Sequence, residues 1–353
     1  MRTKLPLYKD DGRIAETLSE SQVLSLKHLR DDIASRKLHL IPNHCICNNK
    51  HPERDIVISE KDRYGLPIPQ ILCSHCGIIR SKYVFDETSN NLFYKSYYRN
   101  VYSSGMSMED FFYNWQVYQG TRFIQLLKEH SVFDNISEVV EIGCGAGGIL
   151  LPFKKEEKTV CGYDFDMDYL NYGKSKGVEI KYGDWYVQTA DNSCDLIILS
   201  HVLEHFLNPL AELKKIISKI RVGKYLMVEV PGILNIHNAY GNPILYFQNA
   251  HVYNFYEQSL RVFFEKLGLE VVYGDEFCTF ICQKKTDAIP NISFIYDDSL
   301  AKYPQIIANY LIETKKAFER KNKKTIKEKM FDMACLFGWK KIRPYIKHKQ
   351  YND

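Results

Sequence analysis

Val139-Val140-Glu141-Ile142-Gly143-Cys144-Gly145-Ala146-Gly147-Gly148 is the stretch around which the rest of the sequence is read. An apolar, β-branched run ends in an acidic residue. Glycines follow at alternate positions, and Ile149-Leu150-Leu151 open a new apolar run. That order predicts a buried strand, a tight turn and a helix start. Glycine suits such a turn because a side chain would keep a ligand off the backbone, and because the turn calls for positive φ. The helix start behind it offers free N–H groups to a polar or anionic ligand. Gly143-x-Gly145-x-x-Gly148 also satisfies a dinucleotide fingerprint, with Asp164 about 20 residues on as a ribose-binding acid.

Outward from this stretch the apolar runs recur. Strands are predicted at 139–142, 159–163, 179–182, 195–200, 225–230, 268–273 and 279–283, with helical patterns between the earlier ones. Apolar strands alternating with helices predict an α/β fold with a doubly wound, mostly parallel seven-stranded sheet. Ligands in such sheets sit at the carboxyl ends of the strands. Gly143 to Gly147, Asp164, Asp184 and His201 all fall there by this reading.

At 353 residues the chain holds one large core plus a smaller module. Its 45% hydrophobic and 25% charged content is that of a soluble globular protein, which excludes a disordered chain. A net charge of +4 is too small to argue for nucleic acid. Met1-Arg2-Thr3-Lys4-Leu5-Pro6 leads into charged residues without an apolar run, so no signal peptide is expected, and no segment approaches a membrane span. Ten cysteines then read as thiols or metal ligands in a reducing cytoplasm. The 25 tyrosines are in excess, with no explanation in the sequence.

Four segments follow: a helical one over 1–42, a zinc-binding module over 43–100, the α/β domain over 101–286 and a basic helical extension over 287–353. In the first, 13–37 is an amphipathic helix with Leu18, Leu26, Leu29 and Ile33 near one face. In the second, Cys73-Ser74-His75-Cys76-Gly77 is a metal knuckle. His44-Cys45-Ile46-Cys47 supplies the other pair, with either Cys45 or His44 beside Cys47. Four N/S ligands in two pairs suit a tetrahedral structural Zn²⁺. A second amphipathic helix spans 109–130. The extension carries Lys315-Lys316, Arg320-Lys321, Lys323-Lys324, Lys340-Lys341 and Arg343, with Ile326, Met330, Met333, Phe337 and Trp339 interleaved. It reads as a solvated face over a docked apolar stripe, or as a peripheral contact with anionic lipid or a lipid-linked glycan.

Glu141-x-Gly143-Cys144-Gly145-x-Gly147 resembles the first motif of class I S-adenosylmethionine (SAM) dependent methyltransferases. His201-Val202-Leu203-Glu204-His205-Phe206-Leu207-Asn208-Pro209, after the fourth strand, is similar to the stretch that follows that strand in the same family, and a nicotinamide dehydrogenase has no need of it. Asp62-Arg63-Tyr64-Gly65-Leu66-Pro67, the knuckle and Phe93-Tyr94-Lys95-Ser96-Tyr97-Tyr98-Arg99 resemble the zinc-binding N-terminal part of bacterial sugar methyltransferases. The resemblance spans about 43–285.

It implies an enzyme that O-methylates a sugar in a surface-polysaccharide or nucleotide-sugar pathway. Sugar C-methylation, or methylation of RNA or protein with the zinc module as a grip, are the alternatives. No nucleic-acid partner is expected. The implied cofactor site is Glu141, Gly143, Gly145, Gly147, Asp164, Asp184, Trp185 and Ser200, under a helix offering Tyr118, Gln119 and Arg122. Cys47, Cys73 and Cys76, with Cys45 or His44 as the fourth ligand, are expected to hold the metal. His205 is the expected base, with His201 second and Glu204 orienting. His201 and His205 share one face if their segment is helical. His237, Asn238 and the segment 249–255 form the acceptor wall.

Overall fold

The computed structural model describes residues 5–102 and 108–336. Its first strands are β1 (Leu40–Pro42), β2 (Ile56–Ser59), β3 (Gln70–Leu72), β4 (Ile79–Ser81) and β5 (Tyr83–Phe85). The α/β domain supplies β6 (Glu138–Ile142), β7 (Thr159–Asp164), β8 (Ile180–Tyr182), β9 (Cys194–Ser200), β10 (Ile220–Glu229), β11 (Tyr253–Asn254), β12 (Leu269–Gly274) and β13 (Thr279–Lys284). Seven of them form one sheet in the order β12-β13-β10-β9-β6-β7-β8. The four pairings from β10 to β8 are parallel, whereas β13 runs antiparallel to both β10 and β12. This is the doubly wound, mostly parallel sheet of the class I methyltransferase fold. All seven predicted strands are present.

β9 is central and buried on both faces, which is why it carries the unbroken apolar run Leu196-Ile197-Ile198-Leu199. Leu196 and Ile198 pack with Phe123, Leu127 and Phe153 on one face. Ile197 and Leu199 pack on the other face into a cluster that runs on to the four cysteines Cys45, Cys47, Cys73 and Cys76. The core of the small module is thus continuous with one face of the large sheet.

The module is joined to the domain by backbone as well. β11 pairs antiparallel with β4 and completes a four-stranded sheet, β11-β4-β3-β2. The N-terminal helix runs over Glu20–Ala34, shorter than expected, because Ser19 accepts from the N–H of Gln22 and the Gln22 side chain returns to the Ser19 N–H. That reciprocal cap fixes the helix start and leaves residues 13–18 outside it. The C-terminal helix Tyr303–Leu336 buries Ile307, Ala308 and Leu311 and stacks Tyr303 on Tyr256 with centroids 4.4 Å apart. Phe337, Trp339, Lys340, Lys341 and Arg343 lie outside the described residues. Among the described residues no helix is long and apolar enough to cross a membrane.

Candidate active site

The turn after β6 has Gly143, Gly145 and Gly147 at φ of +68°, +53° and +71°. A Cβ on Gly143 would stand 2.6 Å from Val202, and one on Gly145 would stand 3.0 Å from the Phe112 ring. Positive φ and close neighbours together require glycine at both. Asp164, at the end of β7, accepts from the Gly145 N–H at 2.8 Å and from the Asp166 N–H at 2.8 Å. It therefore ties the glycine turn to the second strand, while each carboxylate oxygen keeps capacity for a further donor. Burial raises the Asp164 pKa above the usual carboxylate range, offset in part by those N–H groups.

Glu141 lies one strand residue before the turn, 1% exposed, with Oε2 unpartnered. Burial, and then the charge of Asp164, push its carboxyl far up. An orphaned buried acid beneath a glycine turn fits the ammonium group of an amino-acid-like ligand. Asp184 is exposed at the end of β8 and accepts from the Tyr186 N–H at 2.9 Å, with Trp185 buried beside it. Ser200 ends β9, in register with Glu229 on β10. These residues line one edge of the sheet, as the sequence implied.

The helix Met108–Glu129 covers the turn, by a different face from the one expected. Gln116 donates to the Cys144 carbonyl at 2.9 Å and accepts from the Gly148 N–H at 3.2 Å. A Cβ on Gly120 would stand 2.3 Å from the Ile149 carbonyl oxygen, so the helix backbone lies directly on the turn. Tyr118 is 65% exposed, and Gln119 accepts from Arg122 Nε at 2.8 Å. Arg122 reaches past the turn to Glu229, at the end of β10.

His201 follows β9 at φ +56°, with its N–H donated to the Glu229 carbonyl at 2.8 Å. Beyond it Leu203–His205 form a single 3₁₀ turn, so the histidines do not stack on one helix face as supposed. The left-handed residue ends the strand too abruptly for a helix to start. Instead both rings converge on Glu204, which is 1% exposed. Its Oε1 lies 3.5 Å from His201 Nδ1, 3.9 Å from His205 Nε2 and 3.8 Å from His251 Nε2. Those imidazoles overcome the burial that would raise it, and Glu204 is held down at about 2. Burial lowers the His201 pKa, but Glu204 and then Glu229 outweigh it and leave it raised. His205 is lowered, chiefly by burial. Its Nδ1 is 2.9 Å from the Ala250 carbonyl and 3.1 Å from the Tyr94 hydroxyl.

Tyr94 belongs to a helical run, Glu87–Tyr102, whose middle turn, Tyr94–Tyr98, is a π-helix. The wider turn puts Tyr94, Tyr98 and Tyr102 in one stack, with centroids 4.9 and 4.8 Å apart, and points Tyr94 and Tyr98 at His205. This stack accounts for part of the tyrosine excess. From the sequence, Tyr94 and Tyr98 are marked only as part of a resembling stretch, and Gln116 and Glu229 are not marked at all. The four-residue spacing of Tyr94, Tyr98 and Tyr102, and an acid closing the fifth strand, were signals for all but Gln116.

The metal-module residues form a second constellation. Cys45 Sγ lies 3.5 Å from Cys76 Sγ and 3.4 Å from Cys47 Sγ, and Cys47 Sγ lies 3.6 Å from Cys73 Sγ. All four are buried, and no disulfide links them. A tetrahedral Zn²⁺ with bonds of ~2.3 Å sets its sulfurs a little under ~4 Å apart, so the quartet fits that ion. His44 is exposed, and the structure brings Cys45 to the site. Close by, buried Arg80 donates to Asp55 at 2.8 Å, and Asp55 accepts from the Ser74 N–H at 2.8 Å. Tyr253 donates to the His44 carbonyl and Tyr256 to that of Cys76. The segment 249–255, expected as part of the acceptor wall, is thereby pinned to the knuckles. His237 sits elsewhere: it is exposed and 2.8 Å from the Tyr310 hydroxyl on the C-terminal helix, with Asn238 bonded to Asn235.

Residues 117–273 match the family model described as a methyltransferase domain. Among solved structures, the chain is similar to a SAM-dependent methyltransferase from Methanosarcina mazei, at 19% identity over 42% of this chain and 93% of that one, TM-score 0.34. A SAM-dependent methyltransferase from Archaeoglobus fulgidus aligns at 19% identity over 54% and 87%, TM-score 0.37. A Thermotoga maritima structure, described as a possible histamine N-methyltransferase, aligns at 18% identity over 51% and 98%, TM-score 0.37. No curated protein matches the chain. Residues 117–273 thus carry a methyltransferase domain, built on the strand order given above.

Proposed function

We propose that this enzyme methylates a hydroxyl of a sugar destined for a surface polysaccharide, as a nucleotide-linked or otherwise activated precursor. What carries the reading is the His201–Glu204 pair, an imidazole at the cleft braced by a buried carboxylate 3.5 Å away. SAM supplies an electrophilic methyl group on a sulfonium centre. The turn glycines, Asp164 and Glu141 hold its polar groups at one edge of the sheet. A sugar hydroxyl is a poor nucleophile at neutral pH, so the acceptor needs a base. His201 takes the proton, and Glu204 steadies the imidazolium that forms. His205 is second in this role because its Nδ1 is committed to Ala250 and its ring is more buried. Trp115, with its ring 6.1 Å from His201, offers an apolar face to the C–H side of a sugar ring.

The knuckle cysteines hold one structural Zn²⁺ in this reading. The nine described cysteines are all thiols, which suits a reducing cytoplasm. Methyl transfer from labelled SAM to a panel of nucleotide sugars tests the assignment. The expected product is a sugar methyl ether. A C-methylated sugar would move the assignment to carbon, and label found only in RNA or protein would overturn it.

A further inference from the structure

Glu204 poses a problem that the methyl-transfer reading leaves unsolved. Its carboxylate is 1% exposed, yet neither oxygen accepts a hydrogen bond. Buried carboxylates are normally satisfied by donors, and an exception calls for a missing partner. The groups facing it are ring nitrogens. His205 Nδ1 lies 2.9 Å from the Ala250 carbonyl, which can only accept, so the proton of the neutral ring is on Nδ1. The lone pair of Nε2 is then turned toward Glu204, 3.9 Å away. His251 Nε2 faces the same oxygen at 3.8 Å from a ring that is 4% exposed, and its Nδ1 has no partner. The three ligand atoms of Glu204, His205 and His251 all lie within 4.8 Å of one another. Three Lewis bases thus converge on a space the size of one atom.

We infer that Glu204, His205 and His251 form a second metal site, which takes one divalent first-row transition ion. Two imidazoles and one carboxylate are a donor set that such ions favour. A carbonyl holding the far nitrogen of His205 is the usual outer support of a metal-bound histidine. Gln248 packs its amide against His251 Nε2, and its buried Oε1 is unpartnered, so rotation of the amide offers a fourth donor. Burial decides between an ion and the acceptor as the missing partner. Glu204 and His251 are closed to a sugar ring, whereas an ion needs only the space between the ligand atoms. His201, the third ring near Glu204, has a half-exposed side chain and stays with the cleft. The site lies apart from the knuckle thiols, so the chain has two metal sites of different chemistry.

Counting metal in the full-length protein tests this without any turnover assay. After equilibration with Co²⁺ and removal of free ion, the wild-type chain should hold two equivalents. Glu204→Gln and His251→Ala should each hold one, with thiolate-to-cobalt charge-transfer absorption retained. One equivalent in the wild type, or a second that persists in both Glu204→Gln and His251→Ala, would overturn the proposal. Should Glu204→Gln fail to fold, the wild-type count and His251→Ala still decide. Failure here leaves the base assignment standing, because that rests on the His201–Glu204 contact and is tested separately by turnover of His201 variants.

Discussion

The candidate site has two halves, built differently. On the cofactor side, the glycine turn, Asp164 and Asp184 each lie at or just after the end of one strand, and one short hydrogen bond from Gly145 to Asp164 joins the first two. On the acceptor side, Tyr94, His201, His205 and His251 come from three distant stretches and meet around one carboxylate. The first half needs only local turns at the edge of a sheet. The second needs the small module in place, because Tyr253 and Tyr256 are bonded to the backbone of the knuckles and β11 pairs with β4. Damage to one half should therefore leave the other working.

The largest effect is expected from the module. Cys73→Ser should lose the knuckle metal, and with it the placement of His251, because small metal modules fold on ligand binding. Turnover should vanish while SAM affinity stays close to that of the wild type, by elemental analysis and calorimetry. An equal collapse of SAM affinity would show that the halves are not separable. Next comes His201→Ala. Loss of a general base should cut kcat ~10²–10⁴-fold with SAM binding intact.

Asp164→Ala probes the opposite half. A charge-assisted hydrogen bond is worth ~1.5–3 kcal/mol, so SAM should bind about tenfold to a hundredfold more weakly. Turnover at saturating SAM should fall far less. Gln116→Ala removes two neutral hydrogen bonds to the turn. At ~0.5–1.5 kcal/mol each, the expected weakening is several-fold at least, read in the same titration.

The smallest effect is a shift along the pH axis. His201 must be neutral to accept a proton, and its pKa is raised, so turnover should climb with pH through a value above the ordinary histidine pKa of about 6.5. Replacing a nearby carboxylate lowers that value. Glu229→Gln, 3.9 Å from Nε2, should move the acid limb toward lower pH, and by less than Glu204→Gln at 3.5 Å. A pH–kcat profile unchanged in both variants would remove His201 from the role.

The seven strands, their mostly parallel order and the placing of the glycine turn and the acids at the strand ends were legible in the sequence. Hydrophobic runs, glycines at required positive φ and acids at strand ends are local signals, each fixed within a few residues of chain. The position of helix Met108–Glu129 was legible too, but not its working face. Tyr118 is exposed whereas Gln116 touches the turn, and only the close packing at Gly120, where a Cβ would collide with the Ile149 carbonyl, sets that rotation. The same holds for the fourth cysteine. Spacing left His44 and Cys45 open, and the fold turned His44 out to solvent.

The acceptor half was decided by tertiary structure alone. His201 and His205 stand out in the sequence for their place after the fourth strand, and would share one face if helical, but the left-handed backbone at His201 breaks any such helix. Their true relation runs through Glu204, and it is completed by His251, 47 positions beyond Glu204 and brought back by the chain that forms β11. Local sequence determines where a strand ends and what stands there. Which buried charge faces which ring depends on long-range packing, since burial strips away solvent and leaves each group only the partners that the fold supplies.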